Sequence, residues 1–218
     1  DTRAVLRPDP AYDSGQAIFF SVEEDGPEKR STSGLIGVKV RVAEVDGDIL
    51  CVENEEELFK EFVKLVQKWD PDILAGYQTE LLSWGFLLER SQVLGNDLLQ
   101  ALSRIKEKTR SYSDEGLKIT GRILLDFWRL LRHEIALQSY TFENIMYHLL
   151  HKRVPSYSFK QLTAWGNHPL YRHRTMSYYL LRTQGLLQIL DHLDLVGRTS
   201  ALARLFGILY FEVLSRWS

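Results

Sequence analysis

Cysteine is almost absent: Cys51 is the single one in 218 residues. One thiol forms no intramolecular disulfide and no Cys-rich zinc site, and its isolation suits a reducing compartment. Long apolar runs are missing too. None reaches the ~18 residues that a membrane-spanning helix requires, and no signal peptide is visible. Neither sign of charge is in excess: 27 Lys and Arg stand against 29 Asp and Glu, a formal charge of −2. Any contact with nucleic acid must therefore come from a local basic face. The phosphate loop Gly-x-x-x-x-Gly-Lys-Ser/Thr, Gly-x-Gly-x-x-Gly, the Gly-x-Ser-x-Gly elbow and His-Glu-x-x-His are also lacking. What is present is 44% hydrophobic, 26% charged and 11% aromatic, an ordinary globular balance with room for one large or two small domains. It excludes a disordered tail, a collagen-like repeat and a disulfide scaffold. There are no internal repeats and no low-complexity tract. Beginning at Asp1 without a Met, the chain reads as a piece of something longer.

The pattern predicts strands first. Residues 17–22 (Ala-Ile-Phe-Phe-Ser-Val) are apolar and β-branched or aromatic, and residues 23–34 form a charged loop with Gly and Pro. Residues 35–42 end in strict alternation, the mark of a half-buried strand, and Asp46-Gly47-Asp48 turns the chain into a short strand at 49–52. Residues 1–53 are thus expected to form a strand meander. Residues 54–125 read as an α/β core. Asn54 is an N-cap with Glu57 three residues on, and Leu58, Phe62, Leu65, Val66 and Trp69 share a helix face until Asp70-Pro71 stops it. A buried strand follows at 72–77, a helix at 83–94 with Gly95 at its C′ position, a charged surface insertion at 106–116 and a strand at 118–125. Residues 126–218 read as helical. Thr141 and Ser158 look like N-caps, a long helix spans 172–193, and another spans 200–206 and ends at Gly207. The order implies an α/β layered fold with a mixed sheet flanked by helices.

Few residues suggest chemistry by themselves. His148 and His151 are three apart on a predicted helix, the spacing of two metal ligands, yet no carboxylate completes a set, and exposed helix residues explain them as well. Arg129, Arg132, His133, Lys152, Arg153, Arg172, His173 and Arg174 enrich the second half in basic residues. They read either as a face that follows a phosphate backbone or as solvated helix surface. Trp69, Trp84, Trp128, Tyr140 and Trp165 sit in apolar patterns and are expected in the core.

A longer run carries a resemblance. Pro71-Asp72-Ile73-Leu74-Ala75-Gly76-Tyr77, followed by Gln78, Leu82, Ser83 and an apolar helix to Arg90, resembles the second exonuclease motif of the family-B DNA polymerases. There the segment reads Pro-Asp-Ile, then Gly-Tyr-Asn, three residues, and Phe-Asp. Gly121-Arg122 with Asp126 resembles the strand that comes next in that family. Tyr178-Tyr179-Leu180-Leu181-Arg182 falls where the third motif, Tyr-x-x-x-Asp, is expected, and residues 194–207 resemble the segment leading to the polymerase palm. Ser83-Trp84-Gly85, Tyr140-Thr141-Phe142-Glu143-Asn144 and Gly197-Arg198-Thr199-Ser200 look closest to the translesion branch. The resemblance covers Arg7 to the end in the right order.

It implies a ribonuclease-H-like 3′–5′ exonuclease fold, with the first strand and the first motif lying before Asp1. It also implies a degenerate site. Proofreading nucleases of the family use carboxylates to hold two divalent metals ~4 Å apart. Here Ser83 replaces the Asp of the second motif, Gln78 and Leu82 replace its Asn and Phe, and Arg182 replaces the Asp of the third while Tyr178 keeps its aromatic. A one-residue shift offers only Tyr179 and Thr183. A serine hydroxyl is a poor Mg²⁺ ligand beside a carboxylate. A unit positive charge ~4 Å from another costs about 4 kcal/mol at an effective dielectric near 20, and a divalent ion doubles that. Ser83 also reads as an N-cap for the helix after it, and Asp126 as another. The implied reading has no catalytic residue and no metal in this chain, and its nucleic-acid contacts are Arg129, Arg132, Lys152 and Arg153. The parent would be a nuclear DNA-templated polymerase that extends damaged or mismatched termini, with magnesium, an iron–sulfur cluster, accessory subunits and a DNA primer-template as partners, and no membrane. The alternatives are a working exonuclease with atypical ligands and a protein-interaction module that never meets DNA.

Overall fold

Apolar and aromatic residues from Ala17 onward set the first pairing. The computed structural model describes residues 8–25, 29–40, 45–105, 112–113, 116–210 and 213. In it β1 (Ala17–Glu24) lies antiparallel to β2 (Arg30–Val38), and β2 runs parallel to β3 (Asp48–Val52). The expected meander is corrected, since β3 follows β2 in the same direction. Apolar alternation reports which residues face a core and not which way a strand runs. Lys39, at φ 51°, turns the chain out of β2, and its N–H donates to the Val52 carbonyl at 2.8 Å. Arg41 and Val42, expected to finish that strand, lie outside the described residues.

The helix α1 (Glu55–Trp69) starts as its sequence predicts. Asn54 Oδ1 accepts from the Glu57 N–H at 2.8 Å, and Glu57 reaches back to accept from the Glu53 N–H. Leu58, Phe59, Phe62 and Val66 are buried. Then come β4 (Ile73–Gly76), α2 (Thr79–Leu82), α3 (Trp84–Val93) and α4 (Leu98–Leu102). They are followed by β5 (Tyr112–Ser113), β6 (Gly116–Leu117), β7 (Ile123–Asp126) and α5 (Phe127–Glu134). Most of the expected insertion at 106–116 lies outside the described residues. Helices α6 (Phe142–Leu150), α7 (Phe159–Asn167), α8 (Arg172–His192) and α9 (Leu195–Phe206) complete the order.

The chain divides into two compact units, and the boundary falls within α5. One takes in Asp1–Gln16 and Glu53–Leu130. Its β4 and β7 pair in parallel with Gly76 opposite Asp126, and Leu58, Phe62, Leu74, Leu88, Leu102 and Phe127 are buried. Asp70, in the left-handed region at the end of α1, is held by Arg104 and Arg122 at 3.0 and 2.8 Å. Arg90 clamps Glu55 with two nitrogens, at 3.0 and 2.8 Å, and donates to the Pro10 carbonyl.

The other unit takes in Ala17–Val52 and Leu131–Ser218. Its centre is α8, packed on β1 and β2 and against α6 and α7. Ser21 and Thr183 share a hydroxyl hydrogen bond at 2.8 Å, Gln184 donates to Ser33 Oγ at 2.8 Å, and the Phe19 and Tyr179 rings lie 5.2 Å apart. Leu35, Val40 and Met176 are buried together. Gly185 lets α6 approach α8: a Cβ there would lie 2.6 Å from the Phe142 ring.

Candidate functional site

The carboxyl ends of parallel strands are where open α/β sheets place their ligands, and here β4 and β7 end side by side at Gly76 and Asp126. Asp126 is fully engaged. Its Oδ2 accepts from the Thr79 N–H at 2.9 Å and the Thr79 hydroxyl at 3.0 Å, and its Oδ1 accepts from the N–H groups of Trp128 and Arg129 at 2.9 and 3.3 Å. It caps α5, as its sequence position suggests, and also pins the start of α2.

The segment after β4 differs from the expected single helix. Gln78 takes a left-handed conformation at φ 52° ahead of α2, and Leu82, whose side chain lies outside the described residues, closes it. Ser83 is the joint between α2 and α3, at φ −129° and ψ −94°. Its expected capping role is corrected. Its carbonyl accepts from the Leu87 N–H at 3.1 Å, but its hydroxyl caps nothing. Instead Oγ is buried without a hydrogen-bond partner among the described residues, and a Cβ on Gly76 would lie 2.8 Å from it. Gly85 permits the joint, because a Cβ there would sit 1.9 Å from the Glu80 carbonyl oxygen. Trp84 donates its indole N–H to the Ala75 carbonyl at 3.1 Å and its ring meets Phe62 at 5.7 Å, a packed position as expected.

The third-motif residues belong to the other unit, on α8. Arg182 donates to Glu143 Oε1 at 3.0 Å and to the Tyr178 hydroxyl at 2.9 Å, and its guanidinium lies 4.6 Å from the Phe142 ring centre. The Tyr178 hydroxyl also donates to Glu143, at 3.2 Å. Burial pushes the Tyr178 phenol up, against the opposing pull of Arg182. Arg182 therefore does not present an uncompensated charge, as its sequence position alone suggests: Glu143 balances it. The shifted register is no freer, since Tyr179 packs on Phe19 and Thr183 bonds Ser21.

Among the basic candidates, Arg129 pairs with Glu80 at 3.0 Å, and Arg132 lies 5.9 Å over the Tyr140 ring. Lys152 donates to Gln188 at 2.8 Å, and Arg153 is exposed. His148 is exposed on α6, whereas His151 lies past its end at φ 52°, so the two do not share a helix face. No cluster of three metal-ligating side chains occurs among the described residues.

Residues 21–145 match the profile described as "DNA polymerase family B, exonuclease domain". The chain belongs to this family. Its fold is the α/β, ribonuclease-H-like exonuclease fold that the motifs imply. Over its whole length it is 42% identical to a DNA polymerase zeta catalytic subunit of Drosophila melanogaster and 35% identical to that of Homo sapiens. It is 31% identical to that of Saccharomyces cerevisiae. The chain spans 11%, 8% and 16% of these relatives, so it corresponds to a small part of each. Ser83 falls inside the segment matched to the family-B exonuclease profile, and Tyr178 and Arg182 fall beyond it. Sequence reasoning names Glu143 only within the run 140–144 and misses its role as the counter-charge of Arg182. It stands 39 residues away, and no local spacing announces that pairing.

Proposed function

We propose that this chain is the exonuclease-like domain of a zeta-type translesion polymerase catalytic subunit, that its nuclease site is disabled, and that it serves as a structural and DNA-positioning part of that enzyme. One observation carries the reading: both motif positions that resemblance assigns to metal-binding aspartates hold side chains unfit for the task. Ser83 offers a neutral hydroxyl without a hydrogen-bond partner among the described residues. Arg182 offers a guanidinium, which has no acceptor lone pair and is bound to Glu143 and Tyr178. Asp126, the carboxylate at the strand ends, has both oxygens occupied by backbone and threonine donors. In neither unit do these positions supply the free carboxylates that a two-metal centre uses.

On this reading the parent performs DNA-templated synthesis past lesions in the nucleus. A working nuclease would excise the termini that such an enzyme extends, so loss of proofreading suits its task. Magnesium for polymerisation and an iron–sulfur cluster belong to other parts of the parent; a lone Cys51 cannot ligate a cluster. Accessory subunits are its partners, and Arg129, Arg132, Lys152 and Arg153 are the first candidates for contact with the primer-template.

The test uses the full-length protein with 5′-labelled single-stranded DNA and Mg²⁺ or Mn²⁺. No 3′-end shortening is expected. Shortening by the wild type that is lost on Asp126→Ala, with folding intact, would overturn the reading.

A further inference from the structure

Between Glu143 and Asp191 the chain has no Asp or Glu, yet Lys152, Arg153, Lys160, Arg172, Arg174 and Arg182 and four histidines lie in that stretch. Arg182 pairs with Glu143. Among the described residues the other five Lys and Arg pair with no carboxylate. A protein of net charge −2 thus carries a stretch of unbalanced positive charge in one unit, with Lys152 bonded to Gln188 late in α8 and Arg172 and Arg174 at the start of that helix.

The start of α8 also presents rings. Arg172 donates from Nε to the Gly166 carbonyl at 2.9 Å, tying the start of α8 to the end of α7. On this corner the Arg174 guanidinium lies 5.7 Å from the Trp165 ring centre and 5.4 Å from that of Tyr171. The His168 ring meets Tyr171 at 4.9 Å. Trp165, expected in the core, is half-buried, and Tyr171 and Phe159 are 42% and 67% exposed. A guanidinium held against rings keeps its N–H edge outward, and that edge suits a phosphate. Exposed rings beside unpaired cations are the composition that binds single strands: cations follow the backbone while unpaired bases stack on aromatic faces.

We propose that α7 and the corner it makes with the start of α8 bind single-stranded nucleic acid, with Arg174 at the corner and Lys160 at the start of α7 on phosphates, and Tyr171 as a stacking platform. The proposal rests on the reading that this domain lies against DNA, and it names where. Stacking requires unpaired bases, so a duplex of equal length gains nothing from Tyr171.

The experiment uses the full-length protein, because other parts of it bind DNA and the site must be located. A fluorescein-labelled oligo(dT) and a duplex are titrated across a salt series, and a 5-iodouracil version is photocrosslinked and mapped. Expected are crosslinks within residues 157–174 and at least about fivefold weaker oligo(dT) binding on Tyr171→Ala, with duplex binding unchanged. On Lys160→Ala with Arg174→Ala the log–log salt slope should shrink by about 1.4, roughly 0.7 per lost phosphate contact. Arg174→Lys should keep the slope. Unchanged affinity and slope in correctly folded variants, or crosslinks only elsewhere, overturn the proposal. In that event a loss on Arg129→Ala with Arg132→Ala leaves the DNA-positioning reading standing, and no effect from any of these variants removes that reading too. If a polyglutamate peptide alone distinguishes the wild type from the Lys160/Arg174 variant, the occupant is an acidic protein segment and the proposal fails.

Discussion

Arg182 and Glu143 form an ion pair at 3.0 Å, with the Tyr178 hydroxyl bonded to both. A residue that stands where relatives of the family are expected to carry a metal-binding carboxylate has become the donor in a closed three-member network. The arginine is 29% exposed and the glutamate 21%, so the pair is partly shielded from water and stronger than one on the open surface.

Replacing Arg182 with Ala should lower stability by about 2 kcal/mol, through the lost charge-assisted bond and the lost contact with the Phe142 ring. Arg182→Asp should cost more, because it sets a second carboxylate against Glu143. Glu143→Gln should recover part of that extra loss. Chemical unfolding of the two single variants and the double variant forms the cycle that checks this, and additive effects would show that the two side chains are not coupled.

Glu55 and Arg90 give a pH dependence of definite sign. Burial raises the Glu55 carboxyl, but the Arg90 hydrogen bonds and the Gly15 N–H outweigh it and hold it below its usual value. A carboxyl depressed in the folded state contributes stability above its unfolded pKa, and that contribution disappears as pH falls through the folded value. Glu55→Gln should therefore cost about 2–3 kcal/mol at neutral pH. The gap between variant and wild type should close as acid is taken below the ordinary glutamate range of about 4.3–4.5. Melting curves from pH 7 to pH 3 test the sign directly.

Gly85→Ala should disrupt the joint between α2 and α3. The new methyl would meet the Glu80 carbonyl oxygen at 1.9 Å, a backbone atom that no rotamer change can move aside. Overpacking of this kind costs about 1–3 kcal/mol, sometimes more. Gly95→Ala is the control: its φ of 76° makes alanine unfavourable, but nothing lies within 4 Å of the added atom. Gly85→Ala should lower the melting temperature further than Gly95→Ala does.

Local features were legible in the chain because their causes are local. Asn54 caps α1 through a residue three positions on, and Gly95 and Gly207 take the left-handed conformations that their places after helices suggest. The direction of β3, the inward turn of the Ser83 hydroxyl and the Glu143 partner of Arg182 were not legible. Glu143 stands 39 residues from Arg182 and Ser83 packs beside Gly76 across the turn from β4, and apolar periodicity carries no information about such neighbours. Trp165 is half-buried like Trp84, packed on the Tyr157 ring at 4.9 Å and met by the Arg174 guanidinium at 5.7 Å, a partner that an apolar pattern does not announce.

Asp126 separates a structural carboxylate from a catalytic one. With four donors converging on its two oxygens, it fixes the start of α2 and the first turn of α5 at once. Asp126→Ala removes an N-cap and leaves the Thr79 hydroxyl and three N–H groups to find new partners, so a loss of about 2 kcal/mol is expected. Asp126→Asn keeps one acceptor oxygen and should recover about half of that loss, because asparagine caps helices as well as aspartate does. If the carboxylate instead served metal chemistry, asparagine would be as damaging as alanine to activity while leaving stability nearly intact. Denaturant midpoints measured beside Mn²⁺ titrations of the wild type and both variants decide between the two. A stability order of wild type, Asn, Ala with no change in Mn²⁺ affinity identifies Asp126 as part of the scaffold.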